Sequence, residues 1–271
     1  EGLNRQVLDI RRRVLGEEHP DTLRSMNNLA SVLDDQGNYA EAEELNRKTL
    51  ETMRRVLGEE HPNTLASMNN LANALDHQGK YAEAEQIHRK HLEIEARDLG
   101  AEHPDTLMSM SNLANTLKAQ GRYAEAEELY RKTLEIKRRV LGEDHQSVAL
   151  TLHGLATVLE KSGRLTEAEE LCRQGDEIVT SRLLPGHRHR KANANLLGGI
   201  LCGLGRYSEA EPLLLDSYEA LRDDPGMSPT DRRGMLERLV RLYESWDAAE
   251  PGKGYAEKAA EWRAKLEETP K

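Results

Sequence analysis

Along the chain, apolar residues recur at spacings of three and four, which places them on one stripe of an α-helix. Met26, Leu29, Ala30 and Leu33 form such a stripe after Pro20, a residue tolerated in a first helical turn. Gly37 predicts the end of this helix, because glycine accepts a left-handed backbone at low cost. A second helix is predicted to start near Tyr39. Its early turns carry Glu41, Glu43 and Glu44, and its last turn carries Arg54 and Arg55, matching the helix dipole at both ends. Glu43 and Arg47, like Glu44 and Lys48, stand in the favoured i,i+4 order.

This two-helix pattern repeats. VLGEEHPDTL begins at Val14, VLGEEHPNTL at Val56, DLGAEHPDTL at Asp98 and VLGEDHQSVA at Val140, a period of 42 residues. On the same period lie Gly37, Gly79, Gly121, Gly163 and Gly205, followed two residues later by Tyr39, Tyr81, Tyr123, Leu165 and Tyr207. Ala42, Ala84, Ala126, Ala168 and Ala210 complete the set. Small residues such as Ala30 and Ala42 are expected where paired helices cross, and Tyr39 is expected to wedge between neighbours. Burying a side chain of that kind stabilises by about 1.5–3 kcal/mol. One hairpin cannot cover its own apolar face, whereas stacked copies can. The expected fold is therefore all-α, a right-handed superhelical solenoid of stacked helix–turn–helix repeats with a concave inner wall.

The expected organisation is a single array over residues 1–271. Residues 1–16 align with the second helix of a repeat, so the chain is expected to begin mid-repeat as part of a longer protein. Repeats follow at 17–58, 59–100, 101–142, 143–185 and 186–224, with capping helices in 225–271. The face Leu3, Val7, Ile10 and Val14 of the first helix is expected to be partly exposed and available for self-association. In the fifth repeat Gly198 falls at the helix crossing. Gly199 and Gly203 have no such register reason, and each is expected to weaken its helix by about 1 kcal/mol relative to alanine.

Composition narrows the chemistry. The net charge of −10 opposes general binding to nucleic acid or anionic lipid. No apolar run is long enough to span a bilayer, and the first residues lack the apolar centre of a signal peptide. Cys172 and Cys202 have no metal or redox spacing and suit a reducing, cytoplasmic setting. No nucleotide-loop, zinc-protease or serine-hydrolase motif is present, so no catalytic residue, metal or cofactor is assigned. His19, His61, His103 and His145 recur once per repeat, too far apart for one ion, and read as loop or capping residues. The run HRHRK at 187–191 could receive an acidic segment or phosphate, the plainer reading being a solvated loop.

Leu29, Ala30, Leu33, Gly37, Tyr39, Ala42 and Leu50 carry a resemblance to the tetratricopeptide repeat, in the 42-residue form found in kinesin light chains and in many bacterial and fungal signalling proteins. The end of the chain, with RRGMLERLVRLYESW and YAEKAAEWRAKLEE, is similar to the terminal repeats of arrays carried by certain bacterial serine/threonine kinases. The resemblance implies a scaffold that binds an extended peptide or partner helix in its concave groove, within a larger signalling protein. The alternative is a regulatory or oligomerisation segment of a multidomain enzyme acting through self-contacts. Opposite the apolar stripe lie Arg24, Asn27, Ser31 and Asp35, then Asn69, Asn73 and His77, then Ser111 and Asn115, flanked by Asn28, Asn70 and Asn112. Asparagine is a mediocre helix former, but its amide both donates and accepts, as a peptide backbone requires. The candidate peptide-binding set is Arg24, Asn27, Asn28, Asn69, Asn70, Asn73, His77, Asn112, Asn115 and Lys118. These asparagines either grip a ligand or lock neighbouring repeats together.

Overall fold

The computed structural model describes residues 1–182, 184, 187–224, 227 and 229–269. Among these residues there are thirteen α-helices and no strand. The expected repeat boundary at 185/186, and positions 225, 226 and 228 of the predicted loop DDPGMSPTD, lie outside the described residues. The chain divides into two compact units, Glu1–Arg122 and Tyr123–Lys271.

The first unit holds α1 (Gly2–Leu15), α2 (Pro20–Asp35), α3 (Tyr39–Leu57), α4 (Pro62–His77), α5 (Tyr81–Asp98) and α6 (Pro104–Ala119). Each helix packs on the next, and α2 also touches α4. Met26, Ala30, Leu33, Ala42 and Met53 are fully buried with Leu8 of α1. On the other flank of α3, Leu50 joins Met68, Leu71, Leu75 and Ala84. At the hairpin turn Gly37 takes φ 79°. The Asn38 N–H then reaches the Leu33 carbonyl at 2.8 Å and the Gly37 N–H that of Asp34 at 2.9 Å, a glycine C-cap.

The recurrent histidines are helix caps. Nδ1 of His19, His61 and His103 accepts the N–H of Asp21, Asn63 and Asp105 at 3.2, 3.1 and 3.2 Å. In the second unit His145 and His187 do the same for Ser147 and His189, at 3.1 and 3.3 Å. An imidazole lone pair thus fills the position usually held by a serine or aspartate oxygen.

Charged junctions follow the same period. Glu43 accepts hydrogen bonds from Arg47 (2.8 Å), Gln78 (2.7 Å) and Lys80 (2.6 Å), so one carboxylate ties α3 to the turn of the next hairpin. Burial would raise the Glu43 carboxyl, but the hydrogen bonds from Lys80, Arg47 and Gln78 outweigh it and hold it down to about 2. Glu85 repeats the arrangement with Arg89, Gln120 and Arg122.

A buried polar register runs through both units. Residues 11, 53, 95 and 137 are Arg, Met, Glu and Lys, and each stands 14 positions before a hydroxyl: Ser25, Ser67, Ser109 or Thr151. Arg11 donates to Ser25 Oγ at 2.6 Å and Lys137 to Thr151 Oγ1 at 3.0 Å. Ser109 Oγ donates to Glu95 Oε2 at 2.5 Å and lies 3.0 Å from His91 Nδ1. Met53 offers no charged group like these, and Ser67 Oγ is left buried without a partner. The Ser109, His91 and Glu95 side chains have the residue types of a hydrolase triad, but all three are buried. Their hydroxyl proton goes to the carboxylate, so the group is a packing network.

The second unit holds α7 (Tyr123–Leu141), α8 (Gln146–Lys161), α9 (Leu165–Arg182), α10 (Arg188–Gly203), α11 (Tyr207–Leu221), α12 (Pro229–Ala249) and α13 (Tyr255–Glu268). Again each helix packs on the next, with α10 also against α8 and α12. Glu127 and Glu169 repeat the junction with Arg164 and Arg206, at 2.7 and 2.8 Å. Trp246 lies between Tyr207 and Tyr255, with centroid distances of 5.8 and 4.2 Å, and Trp262 meets Tyr218 edge-on at 5.1 Å.

The glycines of this unit correct one expectation. Gly199 and Gly203 do have packing reasons. A Cβ at 199 would lie 2.8 Å from Arg238 Nε and 2.9 Å from Glu160 Oε1, and a Cβ at 203 would lie 2.8 Å from Leu165 Cδ1. A Cβ at 198 would lie 2.7 Å from Leu214 Cγ, as the register of Gly198 implies. Gly154 makes room for the buried ring of Tyr130, which a Cβ would approach to 2.7 Å, whereas a Cβ at Gly175 would meet only ordinary contacts at 3.6–3.7 Å.

Two predictions follow from this packing. Gly154→Ala should destabilise by about 1–2 kcal/mol, overpacking against Tyr130 outweighing the gain in helix propensity, while Gly175→Ala should stabilise by up to about 1 kcal/mol. A stabilising Gly154→Ala, a destabilising Gly175→Ala, or no difference between the two in chemical denaturation, would refute this account of the glycines. The second concerns pH. Burial, with His88 nearby, holds His91 down to about 4 from 6.5. A depressed histidine contributes stability that is complete above about 6.5 and lost as pH falls towards about 4. Burial pushes the Glu95 carboxyl up, with the opposite sign: its contribution is present at acid pH and lost as pH rises through its folded value. The junction glutamates add a loss only below 4.5. His91→Thr restores the residue found at 49 and 133, whose hydroxyls bond Leu45 O and Leu129 O. Thermal melts of this variant should be flatter than wild type between about pH 6.5 and 4; an unchanged slope would assign that window elsewhere.

Candidate functional site

In the first unit the first helices of successive hairpins, α2, α4 and α6, expose a polar face. The sequence-selected residues fall into three groups on it. The first is interlocked. Asn112 Nδ2 donates to Asn69 Oδ1 at 2.9 Å, joining α6 to α4. His77 Nδ1 lies 3.0 Å from Asp34 Oδ1, joining α4 to α2, and its ring packs 5.1 Å from that of Tyr39. Below them Asp76 Oδ2 accepts from Thr116 Oγ1 at 2.7 Å and faces His88 Nε2 at 3.3 Å.

The second group is held within its own helix. Arg24 bonds Asp21 at 2.8 Å, and Lys118 donates to Asn115 Oδ1 at 3.1 Å. The third group is Asn28, Asn70 and Asn73. These side chains are exposed or half-buried and make no hydrogen bond among the described residues. Asn28 and Asn70 share a register with Asn112, one repeat apart, and Asn73 lies one turn beyond Asn70.

Asn27 is a correction. It is 7% exposed, with Nδ2 turned towards Met53 Sδ at 3.9 Å, so its amide faces the core. At 100° per residue it falls on the border between polar and apolar faces, and its Oδ1 is buried without a partner.

The second unit carries a polar constellation that reading the sequence missed. Glu160 of α8 accepts from Arg238 Nη2 at 2.7 Å and Arg241 Nη2 at 3.3 Å, both on α12. Arg238 Nη1 also donates to Asn195 Oδ1 of α10 at 2.8 Å, and Asn195 Nδ2 donates to Ser217 Oγ of α11 at 3.0 Å. The bridge crosses α10 directly over Gly199. Two glycines in a row were the only sequence signal for it.

Among the described residues, no cluster of histidine, cysteine, aspartate or glutamate is arranged to hold a metal ion. Both cysteines are free and buried. Among the same residues, no helix is long and apolar enough to cross a membrane.

Comparison with known proteins agrees with this architecture. The tetratricopeptide repeat pattern matches residues 2–54, 29–95, 72–139, 105–178 and 147–223. A Podosopora anserina structure, described as a kinesin light chain with nearly identical TPR-like repeats, is 32% identical over 74% of this chain and 96% of its own, with a TM-score of 0.61. A Rap protein complexed with Competence and Sporulation Factor is 14% identical over 92% of this chain and 76% of its own, with a TM-score of 0.67. The apo form of RapI is 18% identical over 97% and 91%, with a TM-score of 0.71. No curated protein matches the chain. The helical hairpins, their glycine turns and the five matched segments together show that this chain belongs to the tetratricopeptide repeat family.

Proposed function

We propose that the chain is a protein-interaction scaffold whose first unit seats an extended peptide or partner helix on the face of α2, α4 and α6. The observation that carries this reading is the set of unpaired amides of Asn28, Asn70 and Asn73, beside an Asn69–Asn112 pair that is already satisfied. Each free amide offers one acceptor and two donors to a peptide backbone. Lys118, Arg24, Asn115 and His77 frame the seat. The fold is compatible with such a role, since the Rap protein that shares it is solved as a complex. The scaffold reading requires no catalytic group, and the setting it fits is a larger signalling protein in the cytoplasm.

A second reading is favoured by α1. Leu3, Ile10 and Val14 of this helix are 73%, 53% and 68% exposed, a row of aliphatic side chains able to pair with a second copy. In that case the segment acts by self-contacts. Leu3→Glu with Ile10→Glu should then convert an associating protein to a monomer in sedimentation, and a wild type that stays monomeric at high concentration removes this reading.

The primary reading is tested by two double variants against a peptide selected on the wild-type protein from an array of extended sequences. Asn70→Ala with Asn73→Ala should weaken binding by about 1–3 kcal/mol, at about 0.5–1.5 kcal/mol per hydrogen bond, and leave the melting temperature near wild type. Asn69→Ala with Asn112→Ala should instead lower the melting temperature by a few degrees, about 2–4 °C per kcal/mol. If the first pair changes stability and not affinity, the assignment is reversed and the proposal fails. Binding at this neutral wall should also depend only weakly on salt.

A further inference from the structure

The Arg238–Glu160 bridge has features that a structural ion pair does not require. Its partners stand 78 residues apart, so it skips a whole repeat. Two guanidinium groups converge on a single carboxylate, leaving a positive surplus in a protein of net charge −10. The Glu160 side chain is 5% exposed, whereas that of Arg241 is 50% exposed. Beneath the bridge α10 carries Gly199 in mid-helix, where any Cβ would strike both Arg238 and Glu160. A bare stretch of helix at this point is a floor cleared for a carboxylate and a guanidinium to meet. Asn195 orients the Arg238 fork from below, itself held by Ser217.

We propose that Arg238 and Arg241 form a carboxylate-recognition site for an acidic segment of a partner protein, and that Glu160 occupies this site as an internal stand-in. The planar guanidinium of Arg238, fixed by Asn195, presents the paired donors that a carboxylate accepts. Arg241 supplies a second charge from the solvent side. An incoming glutamate or aspartate takes the place of Glu160 over Gly199, and Glu160 is released towards water. Because Glu160 is tethered in place, it competes at high effective concentration. The site therefore stays closed to weakly acidic sequences and opens to a segment with several carboxylates. This site lies in the second unit and differs in chemistry from the amide wall of the first; neither depends on the other.

The test uses the full chain and a fluorescent acetyl-hexaglutamate amide, with hexaglutamine as the neutral control, followed by fluorescence polarisation. Glu160→Gln should bind hexaglutamate at least about ten-fold more tightly than wild type, and the gain should fall steeply with added salt. Adding Arg238→Met and Arg241→Met should abolish the gain, and hexaglutamine should bind to none of the proteins. Should Glu160→Gln prevent the second unit from folding, Glu160→Asp withdraws the carboxylate by one methylene while keeping its charge, and a smaller gain of the same sign is expected. A folded Glu160 variant that binds hexaglutamate no better than wild type, or a gain that survives loss of both arginines, would overturn the proposal and leave the bridge as a purely structural tie.

Discussion

The second helix of a hairpin in this array can carry more apolar surface than its own hairpin covers. α3 shows the constraint plainly. Met53 and Ala42 are buried with α1 and α2, while Leu50 is buried with α4 and α5. A helix that must be shared between two neighbours cannot be stable in an isolated hairpin, so the sequence is obliged to repeat. The 42-residue period, the alanines at the crossings and the glycine at each turn all follow from keeping that shared helix in register.

Polar groups then decide which neighbours fit. The junction glutamates do this in a uniform way, with Glu43, Glu85, Glu127 and Glu169 each reaching the basic residue that follows the next glycine turn. The buried register of Arg11, Met53, Glu95 and Lys137 does it in an individual way. Arg11, Glu95 and Lys137 each meet a hydroxyl with a different charge and size, whereas Met53 leaves Ser67 without a partner. The repeats are thus alike in backbone and unlike in the buried chemistry of their contacts. Removing one partner of such a contact leaves the other buried and unsatisfied, which costs more than the bond itself contributes.

The fold was legible in the sequence because its determinants are local and periodic: a stripe, a cap, a turn. The candidate site was legible only in part. Asparagine on the open face of a helix announces a polar wall. Whether Asn69 grips a ligand or grips Asn112 depends on a residue 43 positions away, and nothing near Asn69 reports it. Asn27 sat on the border between two faces, where a rotation of a few tens of degrees decides burial, and it came to rest against Met53. Gly199 read as a weak point because its reason lies 39 residues away on either side, in Glu160 and Arg238. Contacts that skip a repeat leave no mark on the repeat pattern, and these were the ones missed.

The aromatic arrangement of the cap bears on how this protein reports its own unfolding. Its two tryptophans, Trp246 and Trp262, both lie in the last two helices, stacked or edge-on against Tyr207, Tyr255 and Tyr218. Indole emission is therefore a spectroscopic window on the C-terminal end alone, whereas far-ultraviolet circular dichroism sees every helix in proportion to its length. In an array whose repeats are coupled mainly to their neighbours, the two signals need not move together. The interval between them measures how far cooperativity travels along the chain.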